Sequence, residues 1–182
     1  MNILFFNGSP RNGNTVEALK ALKEGLAEYP DLEITEIKAA DAHIVPCEGC
    51  GACMNDSQCV FEDDSYEINK LIEAADFLLF ATPVYWWGVS AQLKLIIDKF
   101  YACYERFQKC EGKRVGTIVI GEARLSDPQY EIIAKQFWCI CDFLKWNKVF
   151  SNSYSADKPT DLSRNSAALE EIRALAKVIV EG

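Results

Sequence analysis

The chain has 182 residues, a length that suits one domain of ordinary size. Hydrophobic residues make up 49% and charged residues 25%, so a packed core can form without disulfide staples, and the chain is not a disordered one. The net charge of −8 argues against sequence-independent binding to nucleic acid, which needs clustered Lys and Arg, and against anionic membrane surfaces.

Residues 2–6, Asn-Ile-Leu-Phe-Phe, form a short apolar run cut off by Asn7-Gly8-Ser9-Pro10, which reads as a buried strand stopping at a turn. No basic leader precedes it and no apolar run is long enough to span a bilayer, so a cytoplasmic protein without membrane contact is expected. Val16, Leu19, Leu22 and Leu26 recur at helical spacing and predict an amphipathic helix over 14–28, stopped by Pro30. Residues 32–38 alternate as a strand. Residues 39–62 show no clear period. A loop of that length within a compact domain is usually functional, and this one holds four cysteines.

Asp64-Ser65-Tyr66-Glu67 reads as a capping box ahead of Ile68, Leu71, Ile72 and Ala75, which follow at helical spacing. Residues 76–81 form a third, apolar strand cut by Thr82-Pro83. Leu93, Ile96, Ile97 and Phe100 mark a helix, and residues 113–120 a fourth strand ended by Gly121. Ile133, Phe137, Ile140 and Leu144 mark another helix, residues 146–151 a last strand, and Leu169, Ile172, Leu175 and Ile179 a C-terminal helix. Strands and helices thus alternate throughout. This predicts a single α/β domain over 1–182, a five-stranded parallel sheet in the order 2-1-3-4-5 sandwiched between helices. Ligands in such sheets bind beyond the carboxyl ends of strands 1 and 3.

Two loops reach that crevice. The turn from Gly8 to Thr15 joins strand 1 to helix 1, where the helix presents unpaired N–H groups and the positive end of its dipole. Ser9, Asn14 and Thr15 add polar donors and Arg11 a cation; with Asn12, they are the candidates for cradling a phosphate. The turn lacks the Gly-Lys-Ser/Thr of a P-loop and the Gly-x-Gly-x-x-Gly of a dinucleotide turn. An ordinary capped polar turn is the plain alternative. After strand 3 come Pro83, Val84, Tyr85, Trp86, Trp87 and Gly88. Three consecutive aromatics in a loop suit stacking on a flat heterocycle, or a partner interface. Gly121 and Glu122, after strand 4, complete the rim.

Cys47, Cys50, Cys53 and Cys59 fall within thirteen residues, with gaps of two, two and five. In a reducing compartment such a run points to metal or redox use. Four thiolates so spaced suit a [4Fe–4S] cube, although the last gap is longer than in the bacterial ferredoxin run and no Pro follows. Zinc, a redox disulfide and a bare loop are the alternatives. Cys103, Cys110, Cys139 and Cys141 read as core. His43 is the only histidine, which removes His-based triads. The acidic trio Glu62-Asp63-Asp64 reads as a helix N-terminus rather than as a catalytic carboxylate pair.

The motifs "GSPRNGNT", "CEGCGACMNDSQC" with "EDD", and "TPVYWWGVSAQLKLIIDK" resemble the flavodoxin-like NAD(P)H-dependent FMN reductase family, above all its iron–sulfur flavoprotein branch. The resemblance implies a flavodoxin-like three-layer sandwich, an FMN phosphate held by Ser9, Arg11, Asn14 and Thr15, and a flavin ring lined by Pro83, Val84, Tyr85, Trp86 and Gly88. It implies an oxidoreductase in which NAD(P)H reduces FMN for a quinone, a flavin or another small-molecule acceptor. The alternative is an electron carrier that works through FMN and a [4Fe–4S] cluster with a ferredoxin-like protein. Members of the family pair as homodimers or homotetramers. The lack of a His or a carboxylate pair fits chemistry that the cofactor itself supplies.

Overall fold

The structure is a computed structural model that describes residues 1–56, 58–110 and 112–182; Ser57, in the cysteine loop, and Glu111 lie outside them. The strands are β1 (Asn2–Asn7), β2 (Glu33–Lys38), β3 (Phe77–Pro83), β4 (Arg114–Gly121) and β5 (Asn147–Ser155). The helices are α1 (Asn14–Leu26), α2 (Cys53–Asp56), α3 (Ser65–Ala74), α4 (Ala91–Asp98), α5 (Tyr104–Phe107), α6 (Pro128–Leu144) and α7 (Ser166–Glu181). Short 3₁₀ turns follow α4 and precede α7. All four strand pairings are parallel and the order is β2-β1-β3-β4-β5, as the alternation of elements predicts.

The period-two geometry of strands divides the core. Leu4, Phe6, Leu78, Phe80, Val115 and Val119 point to one face, where they meet α3, α4 and α6. Ile3, Phe5, Phe77, Leu79, Ile118 and Ile120 point to the other and meet α1 and α7. Strands buried on both faces read as continuous apolar runs, which is why β1, β3 and β4 were visible in the sequence. Phe6 stacks on Phe80 with ring centroids 4.8 Å apart, tying β1 to β3 through side chains as well as backbone.

Three expectations need correction. The Asp64 side chain forms no cap bond on α3; its carboxylate accepts from the His43 N–H at 2.7 Å. The Ser65 N–H is taken instead by Asp63, and Glu67 pairs with Lys70, so the acidic residues tie down the long loop rather than closing a capping box. Cys139 is exposed, while Cys141, two residues on along α6, is buried. Burial pushes the Cys141 thiol up to about 12. The loop over 39–62 contains one helical turn, α2, which opens at Cys53. No helix among the described residues is long and apolar enough to cross a membrane.

α1 and α7 cross closely on their shared face, with Gly25 at the crossing. A methyl group there would run into the Arg173 carbonyl, which is backbone and cannot swing aside. Gly25→Ala should therefore lower the unfolding free energy by about 1–3 kcal/mol, the usual range for overpacking, despite the better helix propensity of Ala. Urea denaturation would show it as a lower midpoint at unchanged slope.

Candidate functional site

The turn after β1 and the loop after β3 meet because the sheet puts their strands side by side. Asn7 is in register with Ala81, and the Gly8 N–H donates to the Ala81 carbonyl at 2.8 Å. A Cβ on Gly8 would lie 3.0 Å from that same carbonyl oxygen and 3.2 Å from Ser90 Oγ, so the close approach requires glycine. Beyond it, the Ser9 N–H donates to Asn7 Oδ1, and the Ser9 hydroxyl donates to the Arg11 carbonyl at 2.7 Å. α1 then starts at Gly13 with no side-chain cap, so its first amides are left for another acceptor. Asn14 is buried and bridges outward, donating to the Lys158 carbonyl at 2.9 Å and accepting from the Leu162 N–H at 3.1 Å. Thr15 is buried, and Arg11 is exposed at the rim.

The aromatic loop is a two-residue hairpin. The Tyr85 N–H donates to the Gly88 carbonyl at 2.9 Å, and the Gly88 N–H returns a bond to the Tyr85 carbonyl at 3.0 Å. Trp86 and Trp87, the two central residues, both have left-handed backbones, with φ of 49° and 58°. That is the type I′ pattern, which ordinarily calls for Asn-Gly. An L-residue with a Cβ is strained there by about 1–2 kcal/mol, and this turn holds two indoles in that state. Trp86 is 91% exposed, so core packing does not repay the strain. Thr82 and Ser90 brace the loop, the Ser90 N–H donating to Thr82 Oγ1 at 3.2 Å while Ser90 Oγ accepts from the Leu93 N–H and caps α4. The Val84 N–H donates to the Ile120 carbonyl at 2.8 Å and pins the loop to β4.

Both loops line one cavity of about 790 Å³, a size suited to a cofactor or small ligand. Of the candidate residues, Ser9, Arg11, Asn14, Thr15, Pro83, Val84, Tyr85, Trp86, Trp87, Gly121 and Glu122 line it, whereas Asn12 and Gly88 do not. Ile120, Ala123, Asp127, Gln129, Ala156 and Asp157 join them. Gln129, in the first turn of α6, is only 7% exposed, and its Nε2 has no hydrogen-bond partner. The neighbouring Tyr130 hydroxyl donates to the Ala123 carbonyl. Gln129 thus contributes to the cavity wall, while its Nε2 is enclosed by protein beside Gly121. Nothing in the sequence singled out Gln129. Its nearest signal was Asp127-Pro128, which marks a helix start: Asp127 Oδ1 accepts from the Gln129 N–H and Pro128 opens the helix.

A second, smaller pocket lies under the cysteine loop. Cys47, Cys50, Cys53 and Cys59 line it together, with Phe61, Lys99, Tyr101 and Ala102. All four cysteines are free thiols. Gly49 and Gly51 have φ of 65° and 74°, left-handed positions that let the loop wrap the pocket. Burial pushes the Cys53 thiol up against a backbone hydrogen bond that lowers it, and the nearby Cys59, Cys50 and Cys47 push it further. The Lys99 ammonium lies 3.0 Å from Asp63 Oδ2 and 3.2 Å from Cys59 Sγ. Burial works against both charges. Hydrogen bonds from Ser65, Lys99 and Val45 nonetheless hold the Asp63 carboxyl below its usual range, and the bonds to Asp63 and Cys59 hold Lys99 above its own.

A parallel 2-1-3-4-5 sheet with an uncapped helix start and an aromatic turn facing one cavity at the carboxyl ends of β1 and β3 defines the flavodoxin-like fold class. The sequence model of the NADPH-dependent FMN reductase family matches residues 1–151, and the chain belongs to that family. It is similar to an iron–sulfur flavoprotein of Methanocaldococcus jannaschii, 35% identical over 125 residues that make up 68% of this chain and 64% of that protein. It is also similar to an iron–sulfur flavoprotein of Archaeoglobus fulgidus, 36% identical over 114 residues, or 62% of this chain and 51% of that one. The aligned stretch thus spans between half and two-thirds of these relatives' own lengths. Among solved structures, the NAD(P)H:quinone oxidoreductase from Methanothermobacter marburgensis superposes with a TM-score of 0.74 at 17% identity, covering 97% of this chain and 98% of that one. That likeness is one of fold.

The strained turn gives a test of what the cavity needs. Replacing Trp86 with Asn installs a preferred residue at the first central position and removes little packing, since Trp86 is 91% exposed. The variant should be more stable by about 1 kcal/mol, read from a raised denaturation midpoint, and should bind flavin more weakly. A less stable variant would mean that this indole helps hold the fold together.

Proposed function

We propose that residues 1–182 work as a single domain that holds FMN in the 790 Å³ cavity, takes electrons from NAD(P)H and passes them to a quinone, a flavin or another small-molecule acceptor. The observation that carries this reading is the shared cavity, with an uncapped helix start at one end and the Tyr85–Trp87 turn at the other. The α1 amides, Ser9, Thr15 and Arg11 would bind the phosphate. Tyr85, Trp86 and Trp87 would flank the ring, with Gln129 contributing to the cavity wall. The redox chemistry belongs to the flavin when bound. The chain's own residues position the ring and shield it from water, and Asn14 fixes the cradle by tying α1 to the segment over 156–162. The reading extends to a cytoplasmic protein, consistent with free thiols in its cysteine loop, and to a homodimer or homotetramer that covers the exposed Trp86 rim.

A second reading rests on the cysteine pocket. Four thiols around one pocket supply the ligand count of a [4Fe–4S] cluster, through which, together with FMN, the protein would exchange single electrons with a ferredoxin-like carrier. Among the described residues, no three His, Cys, Asp or Glu side chains converge as holders of a single metal ion. Thiolates spread around a pocket suit a multi-iron core, in which each sulfur binds a different iron, better than one zinc.

Two experiments separate these statements. Arg11→Ala should weaken FMN by about tenfold or more, the worth of one charge-assisted hydrogen bond, and leave riboflavin affinity unchanged, as measured by flavin fluorescence quenching. Equal losses for both flavins would move the phosphate elsewhere. Anaerobically purified protein should carry iron and sulfide under the second reading, and Cys50→Ser should remove both while FMN stays; a yellow protein with flavin peaks alone leaves the first reading standing by itself.

A further inference from the structure

Two lysines are buried to within a few per cent, and they do different things. Lys113 donates to the carbonyls of Glu73 and Ala75 and satisfies the end of α3, at the amino-terminal ends of β3 and β4, away from the cavity. Lys99 follows α4 and faces the cysteine pocket. It is 2% exposed, and Asp63, its ion-pair partner, has a side chain with no exposed surface.

A buried ion pair of this kind adds little net stability, because desolvation consumes most of the attraction. Asp63 does not depend on Lys99 for its hydrogen bonds either. Its carboxylate also accepts from the Val45 N–H at 2.9 Å and from the Ser65 N–H at 3.0 Å. What the fold leaves unexplained is the third contact, from Lys99 Nζ to Cys59 Sγ at 3.2 Å. A neutral thiol is a weak acceptor, whereas a thiolate beside an ammonium makes a charge-assisted bond. The contact places a fixed ammonium directly beside the Cys59 sulfur. Lys99 is also the one cationic side chain among the described residues lining the pocket, which otherwise has Glu48 and Asp98 at its rim. The Phe61 ring lies 5.1 Å from its ammonium and helps keep it dry.

We propose that Lys99 is the positioning residue of the cysteine pocket: it orients Cys59 and, through that sulfur, raises the reduction potential of a bound [4Fe–4S] cluster. This rests on the second reading above, that the pocket holds such a cluster. The physical basis is charge. One electron, supplied by reduced flavin or a ferredoxin-type carrier, adds one negative charge to the site; Lys99 keeps its proton, and no bond forms or breaks. A fixed ammonium hydrogen-bonded to a ligand sulfur favours the more negative state, and at low local dielectric that preference is large. Asp63 holds the ammonium in place and tempers its charge.

The test uses the full chain, reconstituted anaerobically with iron and sulfide, in four forms: wild type, Lys99→Arg, Lys99→Gln and Lys99→Met. Iron and sulfide content is measured first, and then the one-electron midpoint by potentiometric titration followed by electron paramagnetic resonance. Lys99→Arg keeps charge and donor and should stay close to wild type. Lys99→Gln keeps a donor without charge and should fall between the others. Lys99→Met should favour the oxidised state by at least tenfold, about 59 mV to more negative potential for one electron. Because Lys99→Met leaves Asp63 buried and unpaired, Lys99→Met/Asp63→Asn serves as a second variant, with a shift of the same sign expected from loss of the bond to Cys59. Full cluster content with a wild-type midpoint in Lys99→Gln and in both Met forms would overturn the proposal. A wild-type protein that takes up no iron and sulfide would overturn the reading beneath it, a distinct result seen before any variant is made.

Discussion

The candidate site depends on one backbone hydrogen bond, from the Gly8 N–H to the Ala81 carbonyl. It continues the β1–β3 ladder one step beyond the end of β1, where the chain must turn into α1. By extending the pairing, it fixes the start of the phosphate turn against the end of β3, and so against the loop that β3 feeds. Any residue but glycine at position 8 would press on that carbonyl and on the Ser90 cap. Ser90 in turn begins α4 and takes its place through Thr82, the last buried position of β3. Gly8, Ala81, Thr82 and Ser90 therefore form one braced corner. The polar and the aromatic walls of the cavity are built outward from it.

Against that rigid corner the chain keeps a costly feature. Natural type I′ turns avoid bulky L-residues at both central positions, yet Trp86 and Trp87 occupy them here. Strain of this order survives when the surroundings over-determine it, and the paired Tyr85–Gly88 bonds with the brace to Ile120 do so. A turn that keeps two indoles in this state points to a demand for exposed aromatic faces at the cavity mouth. Strain at the mouth of the cavity is consistent with a planar ligand that stacks there.

How much of this could be read beforehand follows from which interactions are local. The strands and their order were legible because doubly buried strands are apolar runs and helices alternate with them, signals confined to short windows. The phosphate turn and the aromatic run were legible because each is contiguous. Gln129, Ala156 and Asp157 were not, since they reach the cavity only through the pairing of β4 with β5 and the start of α6. Asn12 and Gly88 were included for lying within the right motifs, yet the turn geometry leaves them off the wall. The capping box failed for a related reason. Asp64 has the right spacing for a local bond, but a distant partner, the His43 amide, takes its carboxylate.

The same corner that builds the cavity also relates it to the cysteine pocket. α4 begins just after its cap, Ser90, which lies beside Gly8, and ends at Asp98, with Lys99 directly after it. At about 1.5 Å per residue, its eight residues carry the chain roughly 12 Å from one site to the other. A displacement of the aromatic loop would pass through the Ser90 cap into the helix that sets Lys99, and Lys99 is cross-linked through Asp63 to both ends of the cysteine loop, at Val45 and Ser65. Helices transmit such shifts as rigid bodies because their internal hydrogen bonds resist deformation while packed side chains do not compress. One helix thus links the two regions: its cap braces the corner of the larger cavity, and the residue after its last turn lines the cysteine pocket.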